Sequence, residues 1–300
     1  MKKLIMTLWL ILILSACQPT QDVITMMVPS GSPELAQLFM QNQGLYQVDI
    51  VQGADPLIAA FGAKSHDVIF APTNLGAKMY SANPSYVLLG VVVWGNLYLV
   101  SNTGLDDLTD LNQKEITVFG QNQTSDIILR HILLEQNIQA ELTYVDSVAT
   151  ATSLFLADPS RIVLTAEPSF SKIQSIASPL KWISLQEAYG NIHGTTSYPQ
   201  AGIFIKRDLD HQTRVQIEDD IIESVERVIE QKEIAAELAI RLGSTLDKNI
   251  IIQAISNSNI RYQSANQAKE AVITYFEMIM QFNHHLIGTM PPSDFYGGQV

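Results

Sequence analysis

The chain has 300 residues, 47% of them apolar, and a formal net charge of -12 at pH 7, with 18 Lys and Arg against 30 Asp and Glu. That acidic balance excludes ordinary nucleic-acid binding, where basic side chains must neutralise phosphates, and no polybasic run is present to hold anionic lipid. Cys17 is the one cysteine, so an internal disulfide framework is excluded and the body of the chain has no thiol for nucleophilic work.

In chain order, Met1-Lys2-Lys3 leads into an apolar run from Leu4 to Leu14 and then Leu14-Ser15-Ala16-Cys17. A short positive stretch, a short apolar core and a small-residue cleavage site make a secretory signal. The run falls short of the roughly 20 apolar residues that span a bilayer. The residues before Cys17 match the bacterial lipobox. Residues 1–16 are therefore expected to be a lipoprotein signal peptide, with Cys17 lipidated by acyl chains such as palmitate and residues 17–22 a polar tether. The exported chain would then sit on the outer face of the bacterial cell membrane, held by its N-terminal lipid only; two or more acyl chains make such an anchor stable. An ordinary cleaved signal that happens to end near a cysteine is the alternative.

Beyond the tether the sequence alternates strand and helix signals. Val23 to Val28 reads as a buried strand. In Pro29-Ser30-Gly31-Ser32-Pro33-Glu34, Ser32 suits a helix N-cap, Pro33 the first helical position and Glu34 the positive end of the dipole. Tyr46 to Val51 predicts a strand, Pro56 to Phe61 a short helix, and Asp67 to Ala71 a strand ending in a polar turn at Pro72-Thr73-Asn74. Tyr86 to Val93 and Asn96 to Val100 are further strands. A second block has strands at Glu115 to Phe119, Leu142 to Val145 and Arg161 to Thr165, with helices at Ile127 to Glu135 and Ser147 to Leu156. A third begins near Tyr198-Pro199-Gln200 with strand Gly202 to Lys206, then helices over Gln212 to Gln231, Glu233 to Leu242 and Gln267 to Phe282. The alternation predicts an α/β fold with mostly parallel sheet, in which ligands bind beyond the carboxyl ends of strands.

Three loops at such positions are unusually polar: Ser30-Gly31-Ser32, Thr73-Asn74 and Gln121 to Ser125. Ser30, Ser32, Thr73, Asn74, Asn122, Thr124 and Ser125 offer uncharged hydrogen-bonding groups, and helix starts after Ser30-Gly31-Ser32 and after Thr124 would present backbone N–H groups to a ligand. The same Ser and Thr residues suit helix capping equally well. Trp94, beside Gly95 and Asn96, is expected at a turn that exposes it, and Tyr198 precedes Pro199; an aromatic with an adjacent amide suits a planar ligand, although core burial suits Trp94 as well. Glu167, at a strand end before Pro168, can accept from ligand N–H groups or be a solvated loop charge. No nucleophile elbow, zincin or phosphate-loop motif is present, so neither enzyme chemistry nor a cofactor is expected. Of six histidines only His284-His285 adjoin; adjacent helical residues point about 100° apart, which favours a solvated turn over a zinc contact, and no metal site is expected.

The lipobox through Cys17, the segment Asp67-Val68-Ile69-Phe70-Ala71-Pro72-Thr73-Asn74-Leu75-Gly76, Trp94-Gly95-Asn96-Leu97-Tyr98, Glu167-Pro168, Tyr198-Pro199-Gln200-Ala201 and Asp294-Phe295-Tyr296-Gly297 together resemble extracytoplasmic solute-binding proteins of ABC importers. The group is the one similar to thiamine-precursor, nitrate, sulfonate and taurine binding proteins. That resemblance implies a type II periplasmic-binding-protein fold with lobe I at 23–99 plus 203–300 and lobe II at 100–202, crossing near Tyr98 to Asn102 and Tyr198 to Ile203. It also implies a monomer that captures a small molecule by hinge closure and hands it to an ABC permease with its ATPase. The named loops contain no Arg or Lys, which favours a neutral polar solute such as a pyrimidine-like vitamin precursor over a sulfonate- or nitrate-type oxyanion. An enzyme on the same architecture is the rival. Fungal thiamine-pyrimidine relatives carry a cysteine-rich segment absent here, and menaquinone-biosynthesis enzymes of this architecture are cytoplasmic and need no lipobox. A receptor or adhesion lipoprotein without transport is a further alternative.

Overall fold

Two mixed β-sheets, each covered by helices, organise the chain. A computed structural model describes residues 23–297; the signal, Cys17 and the tether lie outside the described residues. The first sheet runs in the order β11 (Ile260–Ser264), β4 (Tyr86–Val93), β10 (Ala201–Lys206), β3 (Val68–Pro72), β1 (Ile24–Pro29) and β2 (Tyr46–Val51). The second runs β7 (Glu141–Val145), β6 (Glu115–Phe119), β8 (Ile162–Ala166), β5 (Leu97–Ser101) and β9 (Lys181–Ser184). Strands β4, β5 and β10 are buried almost throughout, as sheet interiors covered on both faces require. The edge strands β2 and β7 carry exposed positions between covered ones.

The expectation of mostly parallel sheet is corrected. Strand β1 is parallel to β2 and β3, and β6 to β7 and β8, but β10 runs antiparallel to β3 and β4, β11 to β4, and β5 to β8 and β9. The reason is the route of the chain. It leaves the first sheet from β4, passes through Trp94-Gly95-Asn96 and enters the second sheet as β5, with no crossover helix to turn it round. It returns through Ser197 to Gln200 as β10. A strand that enters a sheet at the end where its neighbours leave must run against them.

Several elements escape sequence patterning. Thr73-Asn74 is no turn but the first turn of a helix, Thr73–Ala82. Its Gly76 masks the helical pattern, yet a Cβ there would lie 2.0 Å from Cζ of Phe204 in β10, so only glycine lets the helix rest on the sheet. Helices Ser169–Ile176, Leu185–His193 and Lys248–Asn257 and strands β9 and β11 were also not predicted. The β-branched run Ile250-Ile251-Ile252 obscures the helix Lys248–Asn257, which Asp247 caps by accepting from Asn249 N at 2.8 Å. Most of the apolar core is continuous from the first sheet into the second. A smaller cluster of Tyr98, Val100, Ala151, Phe155, Val163, Phe170 and Ile173 lies beneath helices Val148–Ala157 and Ser169–Ile176. No helix among the described residues is long and apolar enough to cross a membrane.

Candidate ligand-binding cleft

Strand ends from both sheets meet at one cleft of about 510 Å³, bordered by Pro29 of β1, Pro72 of β3 and Ala201 of β10 on one side and by Leu97 of β5, Phe119 of β6 and Ala166 of β8 on the other. That volume falls within the range of about 300–1,000 Å³ usual for small-molecule sites. Apolar side chains, among them Leu57, Ile58, Leu75 and Leu286, form most of the wall.

The structure brings together Ser30, Gly31, Ser32, Asn74, Asn96, Thr124, Ser125, Glu167 and Tyr198 on this wall. Ser32 is not the helix cap its chemistry suggests. Gly31, at φ 102°, takes the cap position of the short helix Ser32–Ala36, and its N–H donates to the Glu34 carboxylate at 3.3 Å. Ser32 is thereby freed; its hydroxyl donates to Ser258 Oγ at 2.9 Å and accepts from Asn96 Nδ2 at 2.9 Å. Asn96 is the centre of the passage between the sheets. Its backbone N donates to Gln200 Oε1 at 3.0 Å while Gln200 Nε2 donates to Asn96 Oδ1 at 2.8 Å, so a reciprocal amide pair ties the outgoing segment to the returning one. Beside it Gly95 stands at φ 80° with Gln186 Cβ 2.7 Å from where a Cβ would be, a second place where only glycine fits.

The two helix starts face each other across the cleft. Thr124 Oγ1 donates to Asn74 Oδ1 at 3.2 Å, and Asn74 Nδ2 reaches Leu286 O at 3.5 Å. Ser125 Oγ donates to Phe119 O at 3.0 Å, closing the loop that links β6 to the helix Thr124–Glu135. Tyr198 is fully buried, its ring stacked on Tyr275 with centroids 5.6 Å apart. Glu167 is 5% exposed; burial pushes its carboxyl up from 4.5 to about 7 against the opposing pull of its Ser171 and Asn257 hydrogen bonds.

Three expected site residues lie away from the cleft wall. Trp94 is not exposed by a turn: it is 2% exposed, its Nε1 donates to Arg261 O at 3.1 Å, and the Arg261 guanidinium lies 4.3 Å above its ring, because the unpredicted strand β11 covers the end of β4. Thr73 is fully buried, donating its hydroxyl to Pro199 O at 2.6 Å, and so fastens the helix start to the returning segment. Asn122 adopts a left-handed conformation, φ 57°, with its N–H donating to Asp126 at 2.8 Å, and this geometry leaves it exposed on the outside of the loop.

Gln123, within the polar loop Gln121 to Ser125, and Gln200, the amide near Tyr198, also line the cleft, and Lys78 is the lining residue that sequence reasoning missed. Lys78 lies four residues beyond Asn74 and so on the same helical face; the missed helix hid it. It removes the premise that no basic residue is at hand. His284 and His285 sit in a single-turn helix, and no group of three or more metal-ligating side chains occurs among the described residues.

The two-sheet body with two passages and a cleft between strand ends defines a periplasmic-binding-protein architecture, and solved structures agree. The crystal structure of an ABC transporter from Parabacteroides distasonis matches with TM-score 0.82 and 23% identity, over 91% of this chain and 98% of that one. The periplasmic aliphatic sulphonate binding protein SsuA from Escherichia coli matches with TM-score 0.69 and 14% identity, over 92% of each chain. A conserved Candida albicans gene product with the generic periplasmic binding protein fold matches with TM-score 0.56 and 11% identity, over 92% of this chain and 93% of that one. At these identities the likeness establishes the fold. No curated protein matches the chain. The family model described as "Menaquinone biosynthesis" matches residues 73–281, and the chain belongs to that family.

Proposed function

We propose that the protein is the substrate-binding lipoprotein of an ABC import system rather than an enzyme. Lobe I (23–99 plus 203–300) and lobe II (100–202) close about the two crossing segments on a small polar solute, which is passed to a permease. The observation that carries this reading is the cleft itself: uncharged hydrogen-bonding side chains from both sheets, Ser32, Asn74, Asn96 and Thr124, converge at the passages between them. Hinge closure about such a point buries a ligand between lobes. The ABC transporter and sulphonate-binding descriptions of the structural relatives point the same way. In this reading the lipobox supports export and anchoring through Cys17 on the outer face of the cell membrane, where the protein would act as a monomer within reach of its permease.

The favoured solute is planar, polar and pyrimidine-like. Lys78 and the start of the helix Thr124–Glu135 favour a second reading, a sulfonate-type oxyanion. The family description favours a third, an enzyme, to which the buried Glu167 would contribute a carboxyl poised near neutral pH. Calorimetry with pyrimidines, thiamine, riboflavin, taurine and alkanesulfonates, with product analysis of each mixture, separates them. Pyrimidine binding without turnover is the expected result; tight binding of sulfonates alone sinks the pyrimidine assignment, and turnover sinks the transport reading.

A further inference from the structure

Two histidines meet away from the cleft wall. His131, in the helix Thr124–Glu135, and His193, the last residue of the helix Leu185–His193, face each other Nε2 to Nε2 at 2.8 Å, with ring centroids 5.0 Å apart. The contact lies on the seam between the two halves of the molecule. Phe282, from the helix Ala265–Asn283 that packs on β4 of the first sheet, sets its ring edge-on to His131 at 6.2 Å. The first turn of the His131 helix, Thr124 and Ser125, lines the cleft. The His193 helix holds the passages: Gln186 Oε1 accepts from Leu97 N at 3.0 Å, and the Tyr189 ring meets Tyr198 edge-on at 5.3 Å.

Between two imidazole nitrogens one must donate and the other accept, so the contact holds one proton and not two. His131 is 4% exposed, and its Nδ1 is buried without a partner among the described residues. A buried N–H without an acceptor is rarer than a bare acceptor, which places the His131 proton on Nε2, donating to His193 Nε2. His193 is half-buried, and its Nε2 is where a further proton binds. Two N–H groups then face each other, and the bond becomes a repulsion. Burial holds both imidazoles below the ordinary histidine value, and the charge of His193 adds to this at His131; Glu135, one turn beyond His131, pulls the other way on both. The remaining groups around the pair are Tyr189 and Tyr275, whose phenols burial pushes up, and Arg130, which is bound to Asp126 at 2.9 Å and lies 5.2 Å from the Phe282 ring centroid. His284 and His285, just past the helix Ala265–Asn283, stack on each other.

We propose that the contact between His131 and His193 is an acid-released latch: a second proton parts the two helices, loosens the His131 helix from Phe282 and opens the cleft. This rests on the hinge-closure reading of the same molecule. The fold favours the neutral pair, whereas in the unfolded chain each histidine ionises near 6.5. Below that value the unfolded state binds more protons, so the stabilisation is complete above it and lost as pH falls through the lowered values of the folded protein. Acid therefore releases the solute, and neutral pH retains it.

The test is small-angle X-ray scattering of the full protein at about pH 8 and about pH 5, on either side of the histidine range, with NMR titration of the imidazoles and a thermal melt at each pH. The wild type is expected to stay folded while its radius of gyration rises by about 1 Å in acid, as hinge opening requires. The His131 and His193 resonances should move together, in coupled steps below the ordinary histidine range. His193→Gln should remove the rise, because an amide offers its oxygen to a protonated His131 as readily as its NH2 to a neutral one. Independent titration of His131 and His193 at ordinary values, a wild type that keeps its size in acid, or an equal rise in His193→Gln overturns the latch. If a solute of the pyrimidine, thiamine, riboflavin, taurine and alkanesulfonate panel changes the scattering at about pH 8 and acid alone does not, hinge closure stands and only the latch falls. If neither acid nor any of these solutes changes it, both fall.

Discussion

At the scale of single residues the cleft is built from side chains whose obvious local roles have been taken over by neighbours. Ser32 can point at Asn96 because Gly31 and Glu34 satisfy the helix start, and Glu167 stays in the cleft although its burial opposes its charge. That opposition has a measurable sign. In the unfolded chain Glu167 ionises near 4.5, and in the folded protein only near about 7, so between these values the unfolded state binds fewer protons. Stability contributed at this site is thus fully present below the lower value and lost as pH rises through the upper one. Glu167→Gln removes the loss. Denaturant unfolding should find the variant level with the wild type under acidic conditions and more stable above neutrality, by about 3 kcal/mol at most. A variant that is less stable above neutrality would mean that the carboxylate is held by contacts stronger than its desolvation.

At the scale of elements, β11 and the helix Thr73–Ala82 decide the most. Strand β11 pairs with β4 from Ile260 opposite Val93 to Ser264 opposite Gly90, and turns Trp94 from a surface aromatic into core. Trp94→Ala is accordingly expected to lower stability by about 3–5 kcal/mol, the usual range for emptying a buried tryptophan site. Equilibrium unfolding measures it, and a shift near zero would place the ring in solvent. The helix Thr73–Ala82 puts Asn74 and Lys78 on the cleft wall together. Neither element has a strong sequence signature: Ile260–Ser264 is short and half polar, and Gly76 weakens the helical pattern although packing against Phe204 demands it.

At the scale of the whole molecule, the two sheets are joined where Asn96 and Gln200 exchange hydrogen bonds, and the helices that cover them touch at Asn74 with Thr124, on the cleft wall, and at Asn257 with Ser171 and Gln174, away from it. Asn96→Ala and Gln200→Ala should each cost about 1–3 kcal/mol by orphaning a buried partner. The double variant should cost less than the sum by about 0.5 kcal/mol or more. A double-mutant cycle by denaturant unfolding measures this, and strict additivity would show that the amide pair is not the tie between the crossing segments.

What the sequence alone determined was local and periodic. The apolar runs of β1, β3, β4, β6 and β10 were legible because strands covered on both faces read as continuous apolar stretches. The polar loops beyond strand ends pointed to Ser30–Ser32, Thr73-Asn74 and Gln121 to Ser125 as a group, because α/β folds gather ligand contacts there. Only the tertiary structure decided strand direction, since it depends on how the chain travels between sheets. It also decided that Trp94, Thr73 and Asn122 leave the cleft wall while Lys78 enters it. Which side of a residue is covered depends on partners far along the chain, β11 for Trp94 and Pro199 for Thr73, and no local pattern carries that information.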